Sequence, residues 1–243
     1  MLQNVLFLIV VFLSNVIQCI TGFAGTVLAM PFSIMLVGFD TAKPILNVLG
    51  IAASIGVVAQ NRKAIQWKEF GIILGVTLPG MLLGALLRAR LAAYDSVLYK
   101  TLGVIVIAFA LMNFISLLTQ KNLVDRAQAL GFALLALGGV VHGMFVCGGP
   151  LIVTYASVRL KENDQFRATL STVWIVLNTL LMIGDLRAGY FVKETNLLLL
   201  VCLALLVLSI LLGNAIAKKL SRKVFLILTD TLMVISGISL LVK

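Results

Sequence analysis

The sequence predicts an all-α, polytopic membrane protein made of two homologous halves in inverted repeat. Each half is an interrupted helix pair followed by three transmembrane helices. Three observations carry this reading: an extreme apolar composition, a regular alternation of long apolar runs with short charge clusters, and interruptions at matching places in the two halves. Hydrophobic residues make up 61% of the 243-residue chain and charged residues only 12%, and the mean hydropathy is +1.15. A soluble domain is about half apolar and about a quarter charged.

Eight apolar runs follow one another: 2–39, 44–60, 69–91, 97–118, 127–158, 166–186, 195–217 and 224–242. A helix crosses a bilayer with about 20 apolar residues. The clusters between runs are Asn61-Arg62-Lys63, Arg88 to Lys100, Lys121 to Arg126, Arg159 to Arg167, Asp185 to Glu194 and Lys218 to Lys223. No linker or low-complexity stretch separates them, so the expectation is a single membrane domain over 1–243, with one repeat at about 1–120 and the other at about 121–243. The N-terminus lacks a basic leader region and runs straight into an apolar stretch, which is read as part of the fold.

The first and fifth runs are too long for one span and too short for two. A helix rises about 1.5 Å per residue across a hydrocarbon core of about 30 Å. Each run weakens near its middle: Gln18 to Thr26, followed by Pro31, in the first, and Gly138 to Pro150 in the fifth. Glycine permits a chain reversal and proline removes a backbone donor. Each run therefore reads as two half-helices meeting at a broken tip inside the membrane. The halves correspond through Gly22 and Gly143, Lys43 and Arg167, Asn47 and Ser171, and Leu83-Gly84-Ala85 and Leu212-Gly213-Asn214. If each interrupted run enters and leaves on one side, each half crosses an odd number of times and the second half is inverted. The basic excess then lies with Arg62, Lys121, Arg159 and Lys218, on the cytoplasmic side, with both termini outside. Eight simple spans would instead put Arg88 to Lys100 and Lys218 to Lys223 inside.

The net charge of +10 and pI of about 9.9 belong to loops and helix ends that face anionic headgroups. Nucleic acid is not an expected partner. Cys19, Cys147 and Cys202 lie in apolar runs without metal-ligand or disulfide spacing. No phosphate-binding loop, catalytic constellation, metal site or cofactor motif stands out, which argues against an enzyme and against direct use of ATP.

Broken helices at corresponding places in two halves are the best sequence pointer to a transporter site, because their N-termini suit an anion. Glycines in apolar helices also serve close packing. The candidate substrate-binding residues are Gln18, Thr21, Gly22 and Gly25 at the first tip, and His142, Gly143, Cys147, Gly148 and Gly149 at the second. Lys43 and Arg167, Asn47 and Ser171, and Trp174 join them from the helices that follow. His142 is the sole histidine; it is a candidate proton or substrate contact, or a plain hydrogen-bond partner. Lys43 and Arg167 could bind an oxyanion or reach to the interface. Asn15, Thr172, Asn178 and Asp230 are further polar residues in apolar runs, open to interhelical bonding or coupling roles.

At Gly22-Phe23-Ala24-Gly25, at Gly143-Met144-Phe145-Val146-Cys147-Gly148-Gly149-Pro150, and at Arg167-Ala168-Thr169-Leu170-Ser171-Thr172, the chain resembles the TauE/SafE sulfite exporter family over essentially its whole length. The second tip keeps the glycine-rich signature; in the first, Thr26-Val27-Leu28 stands in place of a glycine run. The resemblance implies a duplicated bacterial inner-membrane protein that moves sulfite, sulfonates such as sulfoacetate, or related organosulfur anions. The paired tips add the expectation of export by alternating access, with protons as a second candidate partner. An anion channel, a carrier of another small carboxylate and an intramembrane enzyme are the competing readings.

Overall fold

The computed structural model describes residues 2–21, 24–119, 128–217 and 222–242, and the regular structure among them is helical throughout. The first run forms α1 (Leu2–Thr21) and α2 (Ala24–Val37). Then come α3 (Phe39–Asn61), α4 (Trp67–Arg90) and α5 (Asp95–Thr119), with 3-10 turns at Arg62–Ala64 and Ala92–Tyr94. The fifth run forms α6 (Gln128–Phe145) and α7 (Gly149–Arg159), followed by α8 (Asn163–Arg187), α9 (Lys193–Ala217) and α10 (Arg222–Val242). Among the described residues, six helices are long and apolar enough to cross a membrane: α1, α3, α4, α5, α8 and α9. The protein is thus a multi-pass α-helical membrane protein. Leu200, Leu211 and Val207 on α9 point outward, as a lipid-facing surface requires.

Both long runs are split where the sequence weakens. α6 stops at Phe145, and α7 starts with Gly149 and Pro150 in its first turn, where a missing N–H costs nothing. Between them Val146 adopts φ 57°, a conformation that a β-branched residue rarely takes. Two other junctions differ from the sequence reading. α3 begins at Phe39 rather than at Pro44, because Gly38, at φ +80°, turns the chain within one residue. Lys43 and Asp40 therefore lie inside the first turns of α3. The expected charge cluster at Asp185 to Glu194 is also divided: α8 continues to Arg187, and Asp185 is a buried helix residue.

The chain forms two compact units, each drawing on both halves of the sequence. One comprises Met1–Leu46, Leu91–Gln120 and Gly189–Lys243. In it α1 packs on α2 and α9, and α10 packs on α5 and α2. Gly213 of α9 sits against α1, where a Cβ would lie 2.7 Å from Cys19 Cβ. Beside it, the Ser209 hydroxyl donates to the Phe12 carbonyl at 3.1 Å.

The other unit comprises Asn47–Arg90 and Lys121–Ala188. Its central contact is α4 against α6, with α7 and α8 packed around it. Gly80 and Gly84 on α4, and Gly139 and Gly143 on α6, form two facing small-xxx-small pairs. A Cβ on Gly84 would fall on the Val140 carbonyl, and one on Gly143 would fall on that of Met81. Gly139 meets Thr77 and Gly80 meets Ala136 in the same way. The two backbones touch without side chains between them, the arrangement that drives helix association in lipid. At the far end of α7, the Tyr155 hydroxyl donates to Glu69 Oε2 at 3.4 Å, and Arg159 Nε lies 4.0 Å from Glu69 Oε1. These contacts tie α7 to the start of α4.

The seam generates a direct test. Gly84→Ala or Gly143→Ala forces the backbones apart and lowers the unfolding free energy of the purified protein in detergent by about 1–3 kcal/mol or more. Gly75→Ala, also on α4 but with open space around its Cβ, leaves it unchanged or slightly raised.

Candidate functional site

The site is best built outward from α8. Ser171, Trp174, Asn178, Leu181 and Asp185 are all buried. Their spacing of three and four residues places them on one face of the helix. This face carries an indole, an amide and a carboxylate through otherwise apolar surroundings. Burial of such groups is costly unless each finds a partner.

The partners come from α6 and from the portion of α3 in the same unit. His142 Nε2 lies 2.9 Å from Asn178 Oδ1. An amide oxygen can only accept, so this hydrogen bond puts a proton on Nε2. The imidazole also stacks on Trp174, with ring centroids 5.4 Å apart and planes tilted by 33°. Asn47 of α3 donates from Nδ2 to the Asn178 backbone carbonyl at 3.1 Å and to Asp185 Oδ2 at 3.4 Å. Both its acceptors are oxygens, which fixes the orientation of the Asn47 amide. Gly50, one turn on, lets α3 approach: a Cβ there would lie 2.8 Å from Asn178 Nδ2. A polar path therefore runs His142, Asn178, Asn47, Asp185, entering Asn178 at its side-chain amide and leaving it at its backbone carbonyl.

His142 stands one turn before the helix break, and its carbonyl accepts from Val146 N at 2.8 Å. Cys147, Gly148 and Gly149 are buried with it. A Cβ on Gly148 would fall on the Gly138 carbonyl and lie 2.7 Å from His142 Cβ. Gly148 also caps α7 without any side-chain hydrogen bond, so the first N–H groups of that helix are not closed off by a capping side chain.

The candidates from the sequence thus divide. Asn47, His142, Ser171 and Trp174 share the polar region, and Cys147, Gly148 and Gly149 form the adjacent break. Gly143 lies on the seam with α4. Arg167 occupies the first turns of α8 and is exposed. In the other unit, Gln18 packs on Gly25, where a Cβ would lie 2.5 Å from Gln18 Cβ, and Thr26 Oγ1 reaches Gln18 Oε1 at 3.5 Å. Lys43 Nζ lies 5.9 Å from the centre of the Tyr190 ring. Thr21 closes α1, and Gly22 lies outside the described residues. Three residues join the site that the candidate set lacked: Asn178, Asp185 and Gly50. The seven-residue step from Ser171 to Asn178 to Asp185 was the available signal for the first two. Asp185 was instead assigned to an interhelical cluster.

Comparison with known proteins bears on what this arrangement does. The profile of the family described as Sulfite exporter TauE/SafE matches residues 6–240. The chain is 26% identical over 198 residues to a Comamonas testosteroni protein described as "Probable inner membrane transporter protein TsaS", covering 79% of this chain and 80% of that protein. No solved structure matches the chain.

The polar chain makes a stability prediction. Asn178→Leu leaves the His142 donor buried without its acceptor and destabilises the protein by about 1–3 kcal/mol. Adding His142→Leu to that variant costs less than the sum of the two single changes, a coupling that a double-mutant cycle in detergent reads directly.

Proposed function

Because the chain belongs to the sulfite exporter TauE/SafE family, we propose that it is an inner-membrane carrier that exports a small sulfur-containing oxyanion, such as sulfite or a sulfonate, by alternating access. Members of this family are membrane transporters, and the protein is a transporter of the same type rather than an enzyme. One observation supports placing the anion at the second tip: the helix break at Val146 to Gly148 lies in a fully buried stretch. Non-helical backbone at membrane depth is stable only inside protein or along a cavity. The uncapped start of α7 offers N–H groups and the positive end of a helix dipole to an oxyanion. His142, one turn away, joins the break to the polar face of α8, and Trp174 packs on the imidazole from that face.

Duplication into inverted halves is part of this reading, and paired packing supports it. If Gly22 corresponds to Gly143, then Cys19 corresponds to Val140. Gly84 of α4 closes on Val140, and its counterpart Gly213 of α9 closes on Cys19. Each broken helix therefore packs on the third element of the opposite half. A carrier whose halves exchange equivalent contacts has the symmetry that alternating access uses. The relative described as an inner membrane transporter protein supports the same location.

The test is flux in proteoliposomes of the full chain. Sulfite, thiosulfate, sulfoacetate and plain carboxylates are each offered under an imposed gradient. Saturable flux of a sulfur oxyanion is expected, reduced about tenfold or more by His142→Ala, a loss of about 1.4 kcal/mol in transition-state terms. Absence of flux with every anion sinks the reading, and non-saturating conductance replaces the carrier with a channel.

A further inference from the structure

Within this unit, α3 and α8 run antiparallel. Asn47 bonds Asp185 close to the end of α8. Gly50 meets Asn178, where a Cβ would lie 2.8 Å from Nδ2. Beyond the far end of α3, the Gln66 backbone N–H donates to Thr169 Oγ1, in the first turns of α8, at 3.0 Å. Four residues on from Gly50 along α3 is Ser54, and four residues back from Asn178 along α8 is Trp174. Both steps cover about 6 Å at helical rise, so Ser54 comes level with Trp174. Ser171 follows one turn further back along α8. Each helix carries one serine and one asparagine seven residues apart, in opposite order: Asn47 and Ser54, Ser171 and Asn178.

This stretch holds four donors for which no acceptor stands among the described residues: the Ser54 and Ser171 hydroxyls, the Trp174 indole N–H and Asn178 Nδ2. Ser54 and Asn178 are 5% exposed, Ser171 8% and Trp174 9%. Buried donors of this kind are rare, and an indole N–H inside a protein usually finds a partner. Serine and threonine in a helix commonly bond back to a carbonyl of the preceding turn. Thr172, beside Ser171, does so to the Ala168 carbonyl at 2.8 Å, and Thr154 to that of Pro150 at 2.7 Å. Ser171 and Ser54 do not. The Asn178 oxygen accepts from His142, which turns Nδ2 away from the imidazole, and the glycine at position 50 leaves that N–H uncovered by a side chain.

We propose that Ser54 on α3, with Ser171, Trp174 and Asn178 on α8, binds the transported oxyanion through neutral hydrogen-bond donors. The proposal rests on the anion-carrier reading and extends its site from the start of α7 to the space between α3 and α8. The two regions adjoin: Trp174 stacks on His142, and the His142 Cβ lies beside Gly148. A sulfite or sulfonate group presents acceptor oxygens in several directions, so it can satisfy donors from two facing helices at once. Among the described Lys and Arg residues of this unit, all are exposed except the half-buried Arg88 near the end of α4. Recognition on this face therefore falls to N–H and O–H groups. Such a set lacks the full counter-charge of an arginine fork, which suits a cargo that has to be released.

The experiment is thermal unfolding of the full chain in detergent, titrated with sulfite and with sulfoacetate. Wild type is compared with Ser54→Ala, Ser171→Ala and Trp174→Phe, the last of which keeps a ring against His142 and removes only the indole N–H. A ligand that binds the folded state raises its stability in a concentration-dependent way, from which an apparent affinity follows. Wild type is expected to be stabilised by at least one of the two anions, and Ser54→Ala and Trp174→Phe each to weaken that affinity about tenfold or more, the effect of losing a hydrogen bond to a charged group. Without ligand, Ser54→Ala leaves the unfolding temperature unchanged or raised, because no bond within the protein is lost. Unchanged affinity in all three variants overturns the proposal; anion flux through wild-type proteoliposomes in that case keeps the carrier. No stabilisation of wild type by either anion also overturns it, and the flux measurement then judges the carrier separately. Lower stability of unliganded Ser54→Ala with unchanged affinity assigns the hydroxyl to packing and removes Ser54 from the site.

Discussion

The contact on which the site depends is the backbone-to-backbone approach of α4 and α6. In lipid, apolar side chains gain little by leaving one apolar surface for another, so helix association must come from close packing. Four glycines supply it here, by removing every Cβ between the two helices along two turns. The consequence reaches the break directly. With α6 fixed against α4, the chain after Phe145 has to reverse beneath a helix that cannot shift away. Val146 takes an unfavourable φ, and Gly148 lies under the Gly138 carbonyl, where only glycine fits. Strain of this kind persists only when the surrounding structure holds it.

From this fixed point the polar groups are set in place. His142 lies between Gly139 and Gly143 in the turn that faces α4, and its ring projects to α8. The α8 face presents Trp174 and Asn178 to it and, two turns further, Asp185 to Asn47. Buried polar groups of this number would be a heavy cost for stability alone. Their hydrogen bonds to one another offset part of that cost.

The eight apolar runs and both interruptions were legible because each rests on local chemistry. Run length counts turns, and Gly148-Gly149-Pro150 announces a break wherever the chain goes. Boundaries that depend on one residue's conformation were not legible: Gly38 could have ended α2 into a loop, and only its left-handed turn lets α3 start at once. Asp185 was misplaced because a carboxylate near basic residues reads as interfacial. Nothing local records that Asn47, far away in sequence, donates to it.

The sequence by itself determined the class of the protein, the places where two of its apolar runs break, and the family. These follow from hydropathy and backbone propensity, which act over a few residues. The tertiary structure decided which glycines hold helices together and which shape the break, since only a neighbouring carbonyl distinguishes Gly143 from Gly148. It also decided that Asn47, His142, Asn178 and Asp185 are one network. A hydrogen bond between helices depends on distances that no local pattern encodes, so the polar face of α8 acquires its chemistry only when α3 and α6 are packed against it.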